Sequence, residues 1–250
     1  MQIDYKKSVD LEKTFGKAKD RVYRIGLELE GGWVKLPEVR VERDGSVEFD
    51  VFKYPDLKFM GEARSGPLVV KPNEGTPNLY FANWINTNYP KYVNDTCGLH
   101  AHLKMKCALA YQRLMEPSFP ATVLAYVTRW AEESKLPRKH PIWDRLSGKS
   151  EFCQHKYYPV EQVTTAAKDF DKHRSGHRYT VVNYCWSRFG TMEIRLLPMM
   201  DTAELAISAI QNLINITNAY LLVTGRKEEK LITVAKEDSS SVEEETRIRA

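Results

Sequence analysis

Four short stretches of the chain alternate apolar and polar residues with a period of two. They are VYRIGLELE at 22–30, FMGEAR at 59–64, CGLHAHLKM at 97–105 and TMEIRLL at 191–197. Successive side chains of an extended strand point to opposite faces, so each stretch has one face to bury and one to keep polar. A chain carrying several such strands is constrained to a sheet covered on one side only. Ile25, Leu27, Leu29, Leu99, Ala101, Leu103, Met192, Ile194 and Leu196 supply the side to be covered. The other side receives Glu28, Glu30, Glu62, Arg64, His100, His102, Glu193 and Arg195.

Helical spacing appears elsewhere, without regular strand-helix alternation, which predicts an α+β domain with an antiparallel sheet and helices packed on one face. The segment TPNLYFANWINTNYPKYV reads as a helical connector, and Cys107 to Leu136 as two helical pieces divided at Pro117 and Pro120. The clearest helix begins near Asp201, an N-cap with Glu204 completing a capping box, and is expected to stop at Gly225. The organisation expected is a polar arm over 1–21, one domain over 22–225 and a mobile polar tail over 226–250.

The formal net charge of +4 is dispersed rather than gathered in a patch, which argues against nucleic acid as a partner. No apolar stretch is read as reaching the ~20 residues that span a bilayer, and the N-terminus lacks an apolar signal core. The expected location is cytoplasmic, with no membrane partner. Four cysteines are widely spaced without a CxxC pair and are read as reduced thiols. A zinc site from Cys97, His100, His102 and Cys107 would match no usual structural spacing.

The carboxylates of the polar face repel one another unless cations sit between them. Carboxylates with an occasional imidazole suit Mg²⁺ or Mn²⁺ better than zinc. An arginine beside such ions is what a transferring phosphoryl group requires. The residues alone thus point to metal-dependent phosphoryl chemistry. A nucleotide- and metal-binding scaffold without turnover, and a two-metal hydrolase, stand as alternatives.

The order of motifs adds to this. The early ExE strand, RDGS at 43–46, GEARSGPL at 61–68, CGLHAH at 97–102, RYTVVN at 178–183 and GTMEIRLLP at 190–198 together resemble the amidoligase family. That family belongs with glutamine synthetase and glutamate–cysteine ligase among the carboxylate–amine ligases. The resemblance spans roughly residues 22 to 225, and the pattern departs from relatives at Ala63-Arg64 and where Gly66 separates Ser65 from Pro67. It implies a glutamine synthetase-like catalytic sheet, ATP, and Mg²⁺ or Mn²⁺. It also implies amide or peptide bond formation, through an acyl phosphate, between small-molecule or peptide carboxylates and amines. Matched residue by residue, Glu28, Glu30, Glu62, His100 and Glu193 would be metal ligands. His102, Arg178 and Arg195 would meet ATP phosphates, with Arg178, Arg195 and Asp44 in catalytic roles. Asp44, Ser46 and Asn183 would shape the substrate pocket. Residues 137–177, with Lys139, His140, Lys156, His173 and Arg174, are expected to bear on acceptor choice while standing largely in solvent.

Overall fold

A computed structural model describes residues 21–70, 79–105, 108–155, 179–185 and 189–248, with 79, 108, 109, 112 and 226–248 as backbone only. The arm before residue 21, Cys107, Lys156, His173, Arg174 and Arg178 lie outside the described residues. Seven strands form one sheet: β1 (Val22–Trp33), β2 (Val41–Glu42), β3 (Phe59–Arg64), β4 (Leu68–Val69), β5 (Gly98–Met105), β6 (Val182–Cys185) and β7 (Thr191–Pro198). The order is β2-β3-β1-β5-β7-β6, with β4 also pairing on β1, and every pairing is antiparallel. The helices are α1 (Leu79–Asn88), α2 (Ala108–Leu114), α3 (Ser118–Glu133), α4 (Ile142–Leu146) and α5 (Ala203–Ile248). This is the α+β architecture with an antiparallel sheet that the alternation predicts.

β1 is the longest strand and lies between β3 and β5, so its polar face is the centre of the polar surface. Its alternate residues Ile25, Leu27 and Leu29 are fully buried, as are Leu99, Ala101 and Leu103 on β5 and Met192 and Ile194 on β7. Helix α3 contributes Phe119, Val123, Val127 and Trp130 to the same core, at the i, i+4, i+8 and i+11 positions of one helical stripe. Helix α5 adds Ala206, Ile210, Leu213 and Ile214. Each buried Leu, Ile or Val side chain contributes up to about 1.5–3 kcal/mol relative to an exposed one, so this shared layer fixes the sheet against the helices. Asn218 of α5 accepts the Val22 N–H at 2.9 Å and ties the start of β1 to the same helix.

Several expectations change. Pro120 sits in the first turn of α3, where its missing N–H has no intrahelical role, so only the segment around Pro117 separates the two helical pieces. Thr202, not Asp201, caps α5, accepting the Leu205 N–H at 3.3 Å. The backbone of α5 stays helical past Gly225 to Ile248, so the tail expected after 225 continues the helix. Gly225 serves packing instead of termination: a Cβ there would lie 2.9 Å from Arg113 Nη1. Ala203–Gly225 is long and apolar enough to cross a membrane by length and composition, which corrects the reading that no stretch is. Most of that stretch is buried within the core of this domain. Finally, the segment after Leu136 includes the ordered helix α4, and His140 within it is buried, not solvated.

Candidate metal and phosphate site

Strand register assembles the polar face. On β1, Glu28 stands opposite His100 of β5 on one side and Arg64 of β3 on the other. Glu30 stands opposite Glu62, and Gly26 opposite His102, which in turn faces Glu193 of β7. Asn183 of β6 completes that row beside Glu193. A further row at the other end pairs Arg24 with Lys104. Rows two residues apart are separated by ~7 Å along the strand, so these side chains form a charged strip graded from basic to acidic.

Two glycines make the close approaches. At Gly98 a Cβ would lie 2.4 Å from His100 Nε2 and 3.0 Å from Glu30 Oε2, and the Gly98 N–H donates to that same oxygen at 2.5 Å. Gly61 has φ +141°, and a Cβ there would meet the Glu42 carbonyl at 2.0 Å. Only glycine lets β2 approach β3 so closely beside Glu62.

The strip lines a cavity of about 640 Å³. Its walls include Glu28, Glu30, Asp44, Glu62, His100, His102, Asn183, Glu193 and Arg195, all drawn from five strands and the RDGS turn. Ser46 does not line it; its N–H and hydroxyl both donate to Asp44 Oδ1, at 2.7 and 2.6 Å, and hold that carboxylate. Arg178 is not placed, lying outside the described residues. His140 is elsewhere, its Nδ1 accepting the Ile142 N–H at the start of α4.

Two ligand groups emerge, each with its donor atoms within 4.8 Å of one another: Glu28, His102 and Glu193, and Glu30, Asp44 and Glu62. His100 lies between them, its Nδ1 3.2 Å from Glu28, 3.7 Å from Glu30 and 3.6 Å from Glu193. His102, assigned above to phosphate, is thus grouped with carboxylates. Its Nδ1 meets Thr191 Oγ1 at 3.2 Å, leaving Nε2 directed at Glu28 Oε1, also at 3.2 Å. An outer partner of this kind fixes which imidazole nitrogen is offered to a ligand.

Arginines flank the carboxylates. Arg64 grips both oxygens of Glu62 and reaches Glu42 at 2.8 Å and Glu28 at 3.6 Å. Arg195 pairs with Glu193 Oε1 and lies over the Tyr179 ring at 5.6 Å, while its buried Nε has no partner among the described residues. Asn183 Nδ2 donates to the second Glu193 oxygen at 2.7 Å.

The electrostatics fit divalent cations. Burial, and then the field of Glu28, push the Glu62 carboxyl up to about 8. Arg64 favours the ionised form of Glu62, but burial and the neighbouring Glu28 and Glu30 outweigh it, so the carboxyl holds a proton near neutrality. Burial also opposes ionisation of Glu28 and Glu193, yet both are held below the usual carboxylate range. His100 and His102 do this for Glu28, and Arg195 followed by the two histidines for Glu193. Burial disfavours charge on His102, but Glu28 and Glu193 outweigh it and raise its pKa. Hard oxygen ligands with imidazole match Mg²⁺ or Mn²⁺. Cys97, considered for zinc, is buried with its thiol on Asn94 Oδ1, and burial pushes it up to about 12.

The sequence places Arg64 and Lys104 on the polar sides of their strands without a site role and says nothing of Arg24, Ser65 and Phe189 as site residues, yet all five line the cavity. For Arg24 and Lys104 the signal was present, since each continues the polar alternation of its strand. Comparison with protein-family models, with curated proteins and with solved structures gives no significant match, so the chemistry of this cavity is argued from its own residues.

Proposed function

We propose that this protein is an ATP-dependent carboxylate–amine ligase, forming an amide or peptide bond through an acyl phosphate on a glutamine synthetase-like sheet. The observation that carries this reading is the pair of adjacent carboxylate groups, bridged by His100 and flanked by Arg64 and Arg195, within one cavity. A nucleotide-dependent reaction of this kind belongs in the cytoplasm.

Glu28, His102 and Glu193 would hold one divalent cation and Glu30 and Glu62 another, with His100 available to either and the Asp44 carboxylate beside the second pair. Such ions supply bridging of phosphoryl oxygens and neutralisation of their charge. Arg195, oriented by Glu193, grips the γ-phosphoryl oxygens, and its unpartnered Nε is a further donor. Arg24 and Lys104 form no ion pair with a described carboxylate and favour the inner phosphates at the basic end of the strip. The acceptor carboxylate oxygen attacks the γ-phosphorus, the bond to the β-γ bridging oxygen breaks, and ADP departs. The amine lone pair then attacks the acyl carbon, phosphate leaves with one carboxylate oxygen, and the amine proton passes to Asp44, which Ser46 holds at the acidic end.

A screen of candidate acids and amines for stimulated ADP release identifies the substrates. With the acceptor carboxylate labelled with oxygen-18, one labelled oxygen is expected in the released phosphate. Label in AMP would replace the acyl phosphate by an adenylate, and unlabelled phosphate alongside amide formation would exclude it. Nucleotide binding without turnover would leave a scaffold, and amide cleavage without ATP a hydrolase.

A further inference from the structure

Arg145 is 2% exposed and heads the fully buried side chains by size. It projects from α4, and among the described residues its guanidinium donates only to main-chain oxygens. Nη1 reaches Arg195 O and Leu197 O, each at 3.0 Å, and Nη2 reaches Cys97 O at 3.3 Å. No described carboxylate forms an ion pair with it. Burying a guanidinium without a carboxylate is costly, and burial lowers its pKa here. Such a group persists where main-chain carbonyls require its donors.

The β5-β7 register shows why they do. Leu99 pairs with Leu197 and Ala101 with Ile194, so two residues of β7, Arg195 and Leu196, stand against the single residue His100. A bulge of this kind takes carbonyls out of the ladder, and buried carbonyls need donors. Arg145 supplies them at Arg195 and Leu197. The Arg195 N–H donates to Val181 O at 3.1 Å, so the peptide groups on both sides of the Arg195 side chain are held. The third acceptor, Cys97 O, also receives the Met199 N–H at 2.8 Å, which joins β7 to the entry of β5. Helix α4 is itself anchored: Trp143 Nε1 donates to Pro137 O at 2.9 Å, and the Arg145 carbonyl contacts His155 Nε2 at 2.8 Å.

We propose that Arg145 is a positioning residue: it fixes the main chain of Arg195 within the β7 bulge and thereby aims the Arg195 guanidinium into the cavity, a role in phosphoryl transfer that rests on the function proposed above. Lysine cannot replace it. An ammonium places its three donors on one atom, whereas the guanidinium fork spans three carbonyls from two nitrogens.

The test uses the full chain with Arg145→Lys, Arg145→Gln, Arg195→Lys and the double Lys variant. Amide hydrogen exchange reads the main chain without any ligand. In a folded Arg145 variant the Arg195 and Met199 amides should exchange about tenfold faster or more, with β1 amides unchanged. Unchanged exchange at Arg195 and Met199 overturns the proposal, and Arg145→Gln provides the measurement if Arg145→Lys does not fold. The second readout is the affinity ratio between the magnesium complexes of a β,γ-imido ATP analogue and ADP. Wild type should prefer the analogue by about tenfold or more through the γ-phosphate contact. Arg195→Lys and Arg145→Lys should each lose most of that preference, and the double variant should lose no more than Arg195→Lys alone. Additive losses would show that Arg145 does not act through Arg195. A wild type with no preference would instead defeat the phosphoryl-transfer reading, while the exchange data still decide whether Arg145 holds Arg195.

Discussion

Glu28 on β1 stands directly opposite His100 on β5, and carboxylate and imidazole meet at 3.2 Å. The same Glu28 faces Arg64 across β3 and His102 one row away. One carboxylate therefore links three strands, and the linkage depends on register. A slip of one residue would turn every one of these side chains to the opposite face, so the buried Ile25, Leu27 and Leu29 also fix the site.

Gly98→Ala tests how tightly that register is used. The added Cβ would fall 2.4 Å from His100 Nε2 and 3.0 Å from Glu30 Oε2, which displaces the imidazole from its place between the carboxylate groups. Overpacking at such a point costs about 1–3 kcal/mol of stability, measurable by denaturant unfolding. Mn²⁺ affinity, read by calorimetry, should fall as well. Unchanged metal binding in the folded variant would remove His100 from the proposed ligand set.

Glu193→Gln keeps shape and removes one ligand charge. Glu193 is buried between Arg195 and Asn183, so the neutral amide also leaves Arg195 without its carboxylate partner. Loss of a buried partner commonly costs about 3–5 kcal/mol, and the nearby Glu28 and Glu30 place the expected effect at the lower end. Mn²⁺ binding at the Glu28, His102 and Glu193 group and any turnover should be lost from the folded protein, with the second group left to bind. Wild-type metal affinity would show that Glu193 serves Arg195 alone.

Which side chains share a face was legible in the sequence, because a period of two is a local property that IGLELE, HAHLKM and MEIRL each display. Register was not, because it depends on strands far apart in the chain. The bulge that sets Arg195 and Leu196 against His100 leaves no mark in the alternation of β7. His140 is expected in solvent because its segment has no periodicity, and nothing in that segment marks Arg145 as buried. Their burial follows from where α4 docks against β7. Thr202 and Asp201 are adjacent capping residues of similar propensity, and backbone geometry alone chooses Thr202.

Arg195→Lys keeps the charge and should still be poorly tolerated. A guanidinium grips two phosphoryl oxygens at once, while an ammonium acts as a point charge. Loss of one preorganised contact to developing charge costs about 2–4 kcal/mol, on the order of a hundredfold in rate. With the acceptor from the ADP-release screen, kcat should fall by that factor, and the KM for ATP should rise as the γ-phosphate contact is lost. Near-normal kcat would make Arg195 a structural partner of Glu193.

The charge balance of the cavity predicts an unusual pH dependence for the protein kept free of divalent ions with chelator. Glu62 keeps its proton up to about pH 8 when folded, against an ordinary value of 4.5 for the free side chain. Between those values the folded state binds more protons than the unfolded state, so stability falls as pH rises. His102 acts in the same sense: its raised pKa contributes stability below its ordinary 6.5 that is lost as pH rises through the folded value. Glu28 and Glu193, held low, act oppositely, with stability present above their ordinary 4.5 and lost as pH falls towards their folded values. The melting temperature should therefore peak at about pH 5–6 and decline towards pH 8. Glu62→Gln removes the titrating carboxyl and should make that decline shallower. Mn²⁺ has to displace the Glu62 proton, so it should raise the melting temperature of wild type more at pH 8, where part of the population has already lost that proton, than at pH 5.5. Melting profiles that decline in parallel for Glu62→Gln and wild type would show that Glu62 is not the group holding the proton, and an Mn²⁺ shift independent of pH would separate it from the metal site.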